Sequence, residues 1–394
     1  MDICVVSFST VIDDVRIAKE IKELQKSGFR VGGIGIGQVA PIKNDFQLTG
    51  VDLFLNDTTL NANSPQTTWS RLRKNLVRIE HCFFVIKTLI RLKPKVVHVC
   101  NLELLIAVFV PCRALKVKIV YDSFEIWADM GRVLFDNRIL NAVVHTISKK
   151  LLMFIEALLV RRVDGFICVS NAMAEYFVRL YHVPAPTVVT NCPYFFAKTE
   201  TKRNGSFEVL YHGNYGPGRG VEELIKSAKY LSGGATIVLR LSYISDEHRL
   251  TDLIAKCGVR DRVSVREPCR MSEVVRKASR SDVGAVFTLP TNTNHLHTVS
   301  NKIFDYINAG LPVIMSNVKE HVYLNNKHKF GIVIDDLDPE HIATAIMELR
   351  NNRILYDRLA SNAVKASREL NWEVESRKLV ELYSKLIEPS GLPA

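Results

Sequence analysis

The stretch Tyr211-His-Gly-Asn-Tyr-Gly-Pro-Gly-Arg-Gly-Val-Glu-Glu-Leu224 decides the fold class and points to the kind of ligand. An apolar, strand-like run ends there, a glycine-rich loop follows, and a helix is predicted from about Gly220. Glycines let backbone N–H groups approach a ligand closely, and a helix N-terminus offers unpaired donors to an anion. Arg219 stands where its guanidinium could clamp a diphosphate. The residues alone leave a plain turn as the alternative, and no Walker A motif occurs.

On both sides of this loop, strand-like apolar runs alternate with amphipathic, helix-like stretches. The predicted strand Cys4–Phe8 and helix Asp14–Ser27 begin the pattern, and the predicted helix Trp372–Leu386 ends it. Near-continuous apolar strands that alternate with helices predict parallel sheets covered on both faces. The polar segment 197–206 interrupts the alternation and is predicted to be a linker. The sequence therefore predicts an α/β protein with two Rossmann-like, doubly wound domains.

Length and composition agree with this prediction. A chain of 394 residues predicts two or three domains, and 47% hydrophobic with 24% charged residues excludes a disordered chain. The eight cysteines form no Cys-x-x-Cys pair, which favours free thiols in a reducing compartment. The N-terminal MDICVVSF lacks signal-peptide features, and every apolar run is shorter than the ~20 residues of a membrane span. We therefore expect a cytoplasmic protein.

The positive charge is concentrated in one region. The net charge is +11, and residues 65–165 hold 17 basic and 8 acidic residues. Such a region can favour nucleic acid, an anionic membrane or a phosphorylated substrate. The predicted helix near 69–92 also carries Leu72, Leu76, Ile79 and Phe83 with Ile86, which we expect to lie partly in the core. A solvated basic face over that core stripe is the simple alternative to a membrane-docking surface.

A second informative stretch runs from Ser300 to Ser316, SNKIFDYINAGLPVIMS. It predicts a short helix from about Asn301 that ends at Gly310, followed by a strand. Lys302 and Asp305 are three residues apart and so share one helix face. A lysine can bind a phosphate, and a carboxylate can accept hydrogen bonds from two sugar hydroxyls. These residues alone, however, favour a solvated Lys–Asp pair.

Together the two stretches resemble glycosyltransferase family 4, whose members are retaining enzymes with the GT-B fold. Arg219-Gly220 and Ser300–Val313 are similar to the motifs of the family's donor half. Four shorter matches follow in order along the N-terminal half: Asp14-Val15-Arg16, Tyr121-Asp-Ser-Phe-Glu125, Val169-Ser-Asn-Ala-Met173 and Thr190-Asn-Cys-Pro193. Each match is weak alone, but their common order covers most of the chain.

The resemblance implies two Rossmann-like domains that face a cleft, with a C-terminal helix crossing back to the first. The implied acceptor-binding domain spans residues 1–198 with helix 371–388, and the implied nucleotide-sugar-binding domain spans residues 207–370. It implies catalytic roles for Arg219, Lys302, Asp122 and Glu125. It implies donor contacts by Gly213, Asn214, Gly218, Gly220, Asn294, His295, Asn301 and Asp305. It implies acceptor-side roles for Asp14, Arg16, His98 and Asn101.

This sequence departs from the family pattern at four positions. The first glutamate of the family's pair falls at His297, and Asp305 stands for the second. Phe124 and Cys100 stand where the family often has histidine, and Asn214 stands where it has arginine in the glycine loop. The lost histidines concern the acceptor side, so the resemblance supports donor binding more strongly than turnover.

The function that these features imply is retaining transfer of a sugar from a nucleotide-diphosphate sugar to an acceptor hydroxyl. Bacterial cell-surface polysaccharide or lipid-linked glycan synthesis is the expected setting, with an anionic membrane surface as a partner of region 71–162. No metal or other cofactor and no nucleic acid is expected, since no Asp-x-Asp motif and no nucleic-acid-binding motif occurs. The alternatives are a nucleotide-sugar 2-epimerase of GT-B fold, an inactive donor-binding subunit, and a basic nucleic-acid-binding protein.

Overall fold

The computed structural model describes residues 1–38, 48–56, 68–127, 138–197 and 205–388, with the backbone alone described for 68–72 and 138–145. The predicted linker 197–206 therefore lies largely outside the described residues. Two compact units divide the chain. Unit 1 comprises Met1–Thr190 and the C-terminal residues from Ser376, and unit 2 comprises Asn191–Glu375.

Unit 1 is built on a parallel sheet of seven strands in the order β3-β2-β1-β4-β5-β6-β7. The strands are β1 Ile3–Val6, β2 Val31–Ile36, β3 Asp52–Asn56, β4 Val96–Val99, β5 Lys118–Ser123, β6 Gly165–Cys168 and β7 Thr187–Val188. The helices are α1 Val15–Lys26, α2 Thr68–Leu92, α3 Leu102–Ala114, α4 Arg138–Val160 and α5 Asn171–Tyr181. The central strands β1 and β4 are buried along their whole length, as expected for a sheet covered on both faces.

Unit 2 repeats the plan with six parallel strands in the order β10-β9-β8-β11-β12-β13. The strands are β8 Phe207–Tyr215, β9 Ala235–Ile244, β10 Val263–Arg266, β11 Val283–Val286, β12 Val313–Ser316 and β13 Gly331–Ile334. The helices are α6 Val221–Ser227, α7 Glu247–Cys257, α8 Val274–Ala278, α9 Thr293–His297, α10 Lys302–Asn308, α11 Lys319–His328, α12 Pro339–Asn351, α13 Arg353–Ser367 and α14 Trp372–Leu386. The last of these begins in unit 2 and continues into the C-terminal part of unit 1.

Alternation along the strands divides the core of unit 2. Val209 and Tyr211 of β8 pack with α6, α7 and α12, whereas Leu210 between them packs with α10 and β12 on the other face. Successive side chains of a strand point to opposite faces, so both faces of this sheet are apolar and covered. The predicted α/β class with two Rossmann-like, doubly wound domains is confirmed.

The prediction for the apolar residues of α2 was wrong. Leu76, Ile79 and Phe83 are 65%, 53% and 69% exposed, and the buried face of α2 instead carries Val77, His81, Val85, Thr88 and Leu89. The side chain of Leu72 lies outside the described ones. The eight cysteines, all within the described ranges, are free thiols as predicted. No helix among the described residues combines the length and apolar character needed to cross a membrane.

Candidate functional site

The glycine loop (residues 213–220) follows strand β8 and leads into α6. Gly213, Gly218 and Gly220 have φ angles of 118°, 78° and 62°, and Gly220 is the residue that caps the start of α6. These left-handed conformations are ones that side chains with a Cβ rarely adopt. The glycines therefore fix the path of the loop and bring its backbone close to neighbouring side chains.

Two of these glycines make room for specific side chains. A Cβ on Gly213 would lie 2.9 Å from Cε of Lys302, and a Cβ on Gly218 would lie 2.8 Å from Cε1 of His295. The backbone of Gly218 is tied down, because its carbonyl accepts a hydrogen bond from the Leu289 N–H at 3.0 Å. The loop can hold both side chains against its backbone only because it has no Cβ at these two positions.

Lys302 begins α10 and points its ammonium towards the glycine loop. Its Nζ lies 5.1 Å from the centre of the Tyr211 ring, a cation–π distance. Burial and the nearby Arg219 cation lower the pKa of Lys302 from 10.5 to about 8, although Asp305 acts in the opposite direction. Lys302 and Arg219 thus lie close enough at the glycine loop for each charge to act on the other.

Arg219 is the other cation of this cluster. Its charge acts on Tyr211, His295 and Lys302. The guanidinium is half-buried and forms no hydrogen bond or ion pair with any residue that the structure describes. A half-buried guanidinium beside a half-buried ammonium is suited to receive an anion with several oxygens.

Asp305 is held from the side by a histidine that the sequence analysis missed. Nε2 of His212 lies 3.2 Å from Oδ2 of Asp305, and the His212 ring stacks on Tyr306 with centroids 4.8 Å apart. The Tyr306 hydroxyl accepts from the His212 N–H at 3.1 Å and donates to the Leu210 carbonyl at 3.0 Å. These bonds join α10 to the end of β8 and fix where the carboxylate of Asp305 lies.

The histidine that faces Gly218 is fixed by its own loop. His295 lies in α9, which Asn292 caps by accepting the His295 N–H at 2.8 Å. Its Nδ1 lies 3.0 Å from the Leu289 carbonyl oxygen and 2.9 Å from the Thr291 hydroxyl. Burial and the Arg219 cation lower the pKa of His295, although the hydrogen bond with the Leu289 carbonyl acts in the opposite direction.

The other predicted donor residues occupy less central positions. Asn214 accepts a hydrogen bond from the Ser242 hydroxyl at 2.9 Å, and its carbonyl accepts one from Tyr211 at 2.7 Å. Asn301 is exposed, and its carbonyl accepts from the Asp305 N–H at 3.3 Å at the start of α10. Asn294 is buried within α9. The structure thus brings Arg219, Lys302 and Asp305 together at the glycine loop.

Unit 1 contains a buried cluster of charges around Arg16. Nε and Nη2 of Arg16 each donate to the Asp122 carboxylate at 3.0 Å, and Nη1 donates to the Val189 carbonyl at 3.0 Å. Nε of Arg16 also lies 3.0 Å from Oε1 of Glu20. Asp14 places this arginine by capping α1, where its carboxylate accepts from the Arg16 and Ile17 N–H groups.

His98 connects this charge cluster to the C-terminal helix. Its Nδ1 lies 2.6 Å from the Tyr383 hydroxyl, and its Nε2 lies 3.6 Å from carboxylate oxygens of both Glu20 and Asp122. Burial works against ionisation of Asp122, but Arg16 and His98 outweigh it and lower the pKa of this carboxyl. Burial dominates at Glu20 and raises its pKa.

Three members of this cluster could offer ligand atoms to a metal ion. They are Glu20, His98 and Asp122, whose ligand atoms lie within 4.8 Å of one another. The Arg16 guanidinium already contacts both carboxylates, however, and a metal cation would have to share that position with it. The arrangement therefore fits an arginine-centred ion cluster better than a metal centre.

Asn101, implied on the acceptor side, and Glu125, implied as catalytic, lie outside this ion cluster, whereas Asp122, also implied as catalytic, lies within it. Oδ1 of Asn101 accepts from the Phe8 N–H at 3.3 Å, which ties the start of α3 to the loop after β1. The Glu125 carbonyl accepts from the Ser123 hydroxyl at 2.8 Å just after β5. Asp122 is fully buried, and both of its oxygens accept from Arg16, so its carboxylate faces the arginine.

Sequence reasoning also missed a group that lines the loop after β1. Nε2 of His81 lies 3.0 Å from the Ser7 carbonyl oxygen, and the His81 ring is 5.4 Å from the Phe8 ring. The Arg78 guanidinium lies over the same Phe8 ring at 4.4 Å. The spacing of Arg78 and His81 on α2 is one helical turn, which is the signal that could have placed both on the sheet-facing side.

Two Rossmann-like units with all-parallel sheets define this chain as a protein of the GT-B class. Residues 17–193 match the model described as Glycosyltransferase Family 4, and residues 195–366 match the model described as Glycosyl transferases group 1. The chain belongs to the family 4 type of glycosyltransferases. No curated protein matches the chain in sequence.

Solved structures of the same fold resemble the whole chain. Sucrose-phosphate synthase from Thermosynechococcus elongatus aligns with a TM-score of 0.75 and 13% identity, covering 98% of this chain and 99% of its own. HepE from Anabaena in complex with UDP aligns with a TM-score of 0.70 and 15% identity, covering 98% and 100%. The UDP co-structure of Staphylococcus aureus MnaA aligns with a TM-score of 0.61 and 14% identity, covering 100% of both chains.

Proposed function

We propose that this glycosyltransferase takes its sugar from a uridine-diphosphate sugar bound in unit 2 and transfers it with retention of configuration to an acceptor hydroxyl. The observation that carries the proposal is the meeting of Arg219, Lys302 and Asp305 at the glycine loop. Two cations suit the diphosphate, and a carboxylate held by His212 suits the two hydroxyls of a ribose. Several of the similar solved structures contain UDP, which supports this choice of nucleotide.

The proposed chemistry is electrostatic. As the bond between sugar and diphosphate breaks, negative charge grows on the leaving phosphate oxygens. Arg219 and Lys302 already stand at the glycine loop before that charge develops, so their field is expected to stabilise the transition state more than the bound donor. The acceptor hydroxyl attacks on the sugar face that the diphosphate leaves, and the proton of that hydroxyl passes to a departing phosphate oxygen. No covalent intermediate with the protein is required.

The acceptor side of the proposal rests on unit 1. We assign Asp14, Arg16, His98, Asn101, Asp122 and Glu125 to shaping that side, with Asp122 acting through Arg16 because its carboxylate is buried against the guanidinium. A lipid-linked glycan or a growing bacterial surface polysaccharide is the proposed acceptor, used at the cytoplasmic face of the membrane. The excess of basic residues in region 65–165 supports an acceptor that carries phosphate.

Donor binding is expected to depend on pH through Lys302. A diphosphate favours the protonated ammonium, whose pKa is about 8 in the free protein. UDP affinity is therefore expected to fall about tenfold between pH 7 and pH 9, as the ammonium loses its proton. Calorimetric titrations at several pH values measure this fall, which Lys302→Met should remove and Lys256→Met, on exposed α7, should leave in place.

The expected fall in UDP affinity cannot result from a loss of protein stability caused by deprotonation of Lys302. The folded-state pKa of Lys302 lies below its ordinary value of 10.5, so this group adds to the free energy of unfolding as pH rises from 8 to 10.5. A wild-type affinity that is the same at pH 7 and pH 9 would show that Lys302 does not meet the diphosphate.

A panel of nucleotide sugars tests the proposed function as a whole. We expect one UDP-sugar to raise the melting temperature, since a ligand at about 100 times its Kd adds about 2.7 kcal/mol to the free energy of unfolding. The same donor should be hydrolysed slowly to UDP and a free sugar of retained configuration. Binding with release of a 2-epimeric nucleotide sugar would instead indicate an epimerase, and binding with no turnover on any acceptor would indicate an inactive subunit. Stabilisation by no nucleotide sugar would contradict the proposal.

A further inference from the structure

The exposed apolar side chains of the described molecule are concentrated on three helices of unit 1. Of the nineteen large hydrophobic side chains that are exposed among the described residues, ten lie on α2, α3 and α4. They are Leu76, Ile79, Phe83, Ile90, Ile106, Val110, Ile147, Leu151, Phe154 and Leu158. A concentration of exposed apolar side chains on neighbouring helices of a folded protein indicates an interaction surface. We name these ten residues the apolar face.

The exposed residues follow the period of each helix. On α4, Ile147, Leu151, Phe154 and Leu158 recur at intervals of four, three and four residues, which is one stripe of an α-helix. The apolar face is continued by α3, which packs between α2 and α4. Phe83 and Phe154 are its largest members, and they are 69% and 62% exposed.

Basic residues accompany the apolar face. The three helices contain ten basic and three acidic residues, and two further arginines, Arg161 and Arg162, follow α4 directly. Lys87 and Arg91 are exposed on α2, and Lys150 is exposed one residue before Leu151 on α4. The outward charge of these helices is therefore strongly positive.

One of the three acidic residues does not reach the surface. Glu156 is fully buried and accepts hydrogen bonds from Tyr121 at 2.8 Å and Tyr181 at 2.7 Å. Burial raises the pKa of Glu156 to about 7, although the two tyrosine hydroxyls lower it. Because this carboxyl is buried, it does little to neutralise the exposed basic residues of these helices.

We propose that the apolar face docks on an anionic lipid bilayer. Phe83, Phe154 and the aliphatic side chains would enter the boundary between headgroups and acyl chains, while the flanking lysines and arginines meet the lipid phosphates. Exposed apolar surface and positive charge are both needed for stable binding at a membrane surface, and this face supplies both. Docking would bring the enzyme to the bilayer in which the proposed lipid-linked acceptor lies. The docking proposal does not depend on whether the proposed transfer occurs.

A second copy of this chain is a poorer occupant of the same surface. A twofold dimer would place the same face of each copy against the other. The lysines and arginines around both apolar faces would then oppose one another, with no described cluster of surface carboxylates on these helices to pair with them. An anionic bilayer meets the same residues with opposite charge.

Flotation of the full chain with vesicles tests the proposal. We expect the protein to float with vesicles of phosphatidylcholine containing about one third phosphatidylglycerol, and about tenfold less with phosphatidylcholine alone. Phe83→Ser/Phe154→Ser should reduce binding to the anionic vesicles about tenfold or more. The matched control, Tyr323→Ser/Ile354→Ser, removes two exposed apolar side chains of unit 2 and should leave binding unchanged.

A second pair of variants tests the charges separately. Lys87→Glu/Lys150→Glu should also reduce binding to the anionic vesicles about tenfold or more, since each substitution replaces attraction to the lipid phosphates with repulsion. Lys256→Glu/Arg260→Glu makes the same charge change on exposed residues of unit 2 and should have no effect.

Several outcomes would overturn the proposal. They are failure to float with anionic vesicles, equal binding to both lipid compositions, or an equal loss in the control variants. A wild-type dimer that Phe83→Ser/Phe154→Ser converts to a monomer would identify a second copy as the occupant. Because flotation does not measure sugar transfer, each of these results leaves the proposed function to be judged by its own experiment.

Discussion

Arg219→Ala is expected to reduce sugar transfer roughly a hundredfold to a thousandfold while the protein stays folded. The guanidinium is half-buried at the glycine loop and bonds to no residue that the structure describes, so its removal leaves no described partner unsatisfied. The positive field at the loop would then come from Lys302 and backbone N–H groups alone. Initial rates with saturating donor, alongside the melting temperature of the free protein, measure both parts of this expectation.

Two companions make the Arg219 experiment specific. Arg219→Lys keeps the charge but loses the planar fork that can hold two phosphate oxygens at once, so its activity should lie between that of wild type and alanine. Arg260→Ala removes an exposed arginine of unit 2 and should retain wild-type rates. Normal transfer by Arg219→Ala would remove this residue from the mechanism.

Asp122→Ala is expected to lower the free energy of unfolding of unit 1 by about 3–5 kcal/mol. Arg16 and Asp122 are 6% and 0% exposed, and removing the carboxylate costs the buried guanidinium two hydrogen bonds and leaves Glu20 as its one ion-paired carboxylate among the described residues. Denaturant unfolding followed by probes in each unit measures the change, and two units need not unfold in one transition.

An exposed ion pair gives the matched control for Asp122. Nε of Arg353 lies 2.7 Å from Oδ2 of Asp357 on the surface of α13, so Asp357→Ala should cost less than about 1 kcal/mol. The double variant Arg16→Met/Asp122→Leu should be more stable than Asp122→Ala, because it removes the buried guanidinium together with its carboxylate partner and leaves Glu20 beside His98. A cost below about 1 kcal/mol for Asp122→Ala would show that Arg16 is not held by this pair.

The sequence predicted most strands and helices because their apolar runs are continuous and well bounded. Two edge strands were missed. Strand β3 begins with an exposed aspartate and is only half-buried, and β13 is a run of four residues that starts with glycine. Edge strands are covered less completely, so their sequences carry a weaker apolar signal.

The exposed face of α2 shows that hydrophobic periodicity does not determine which side of a helix is buried. The spacing of Leu76, Ile79 and Phe83 correctly indicated a helix, but the apolar residues do not all face the sheet. Helical spacing shows which residues share a face, and it does not show whether protein, lipid or solvent covers that face. The packing of α2 on α3 and the sheet decides this, and those contacts join residues far apart in sequence.

The candidate site was predictable to a different extent in each unit. Arg219, Lys302 and Asp305 stand in two local motifs, and the resemblance to family 4, rather than their spacing alone, made them candidate site residues. His212 could not be assigned in this way, because it meets Asp305 across 93 residues and only through the parallel pairing of the sheet of unit 2. The pair of Arg16 and Asp122 spans 106 residues, and only the resemblance to family 4 connected these two positions.

Calorimetric titration of UDP into the full chain tests the central claim most directly. The account predicts one UDP per chain, binding that Arg219→Ala and Asp305→Asn each weaken about tenfold or more, and unchanged binding in Arg260→Ala. Absence of UDP binding at millimolar concentration would contradict the account, and so would binding that neither Arg219→Ala nor Asp305→Asn affects.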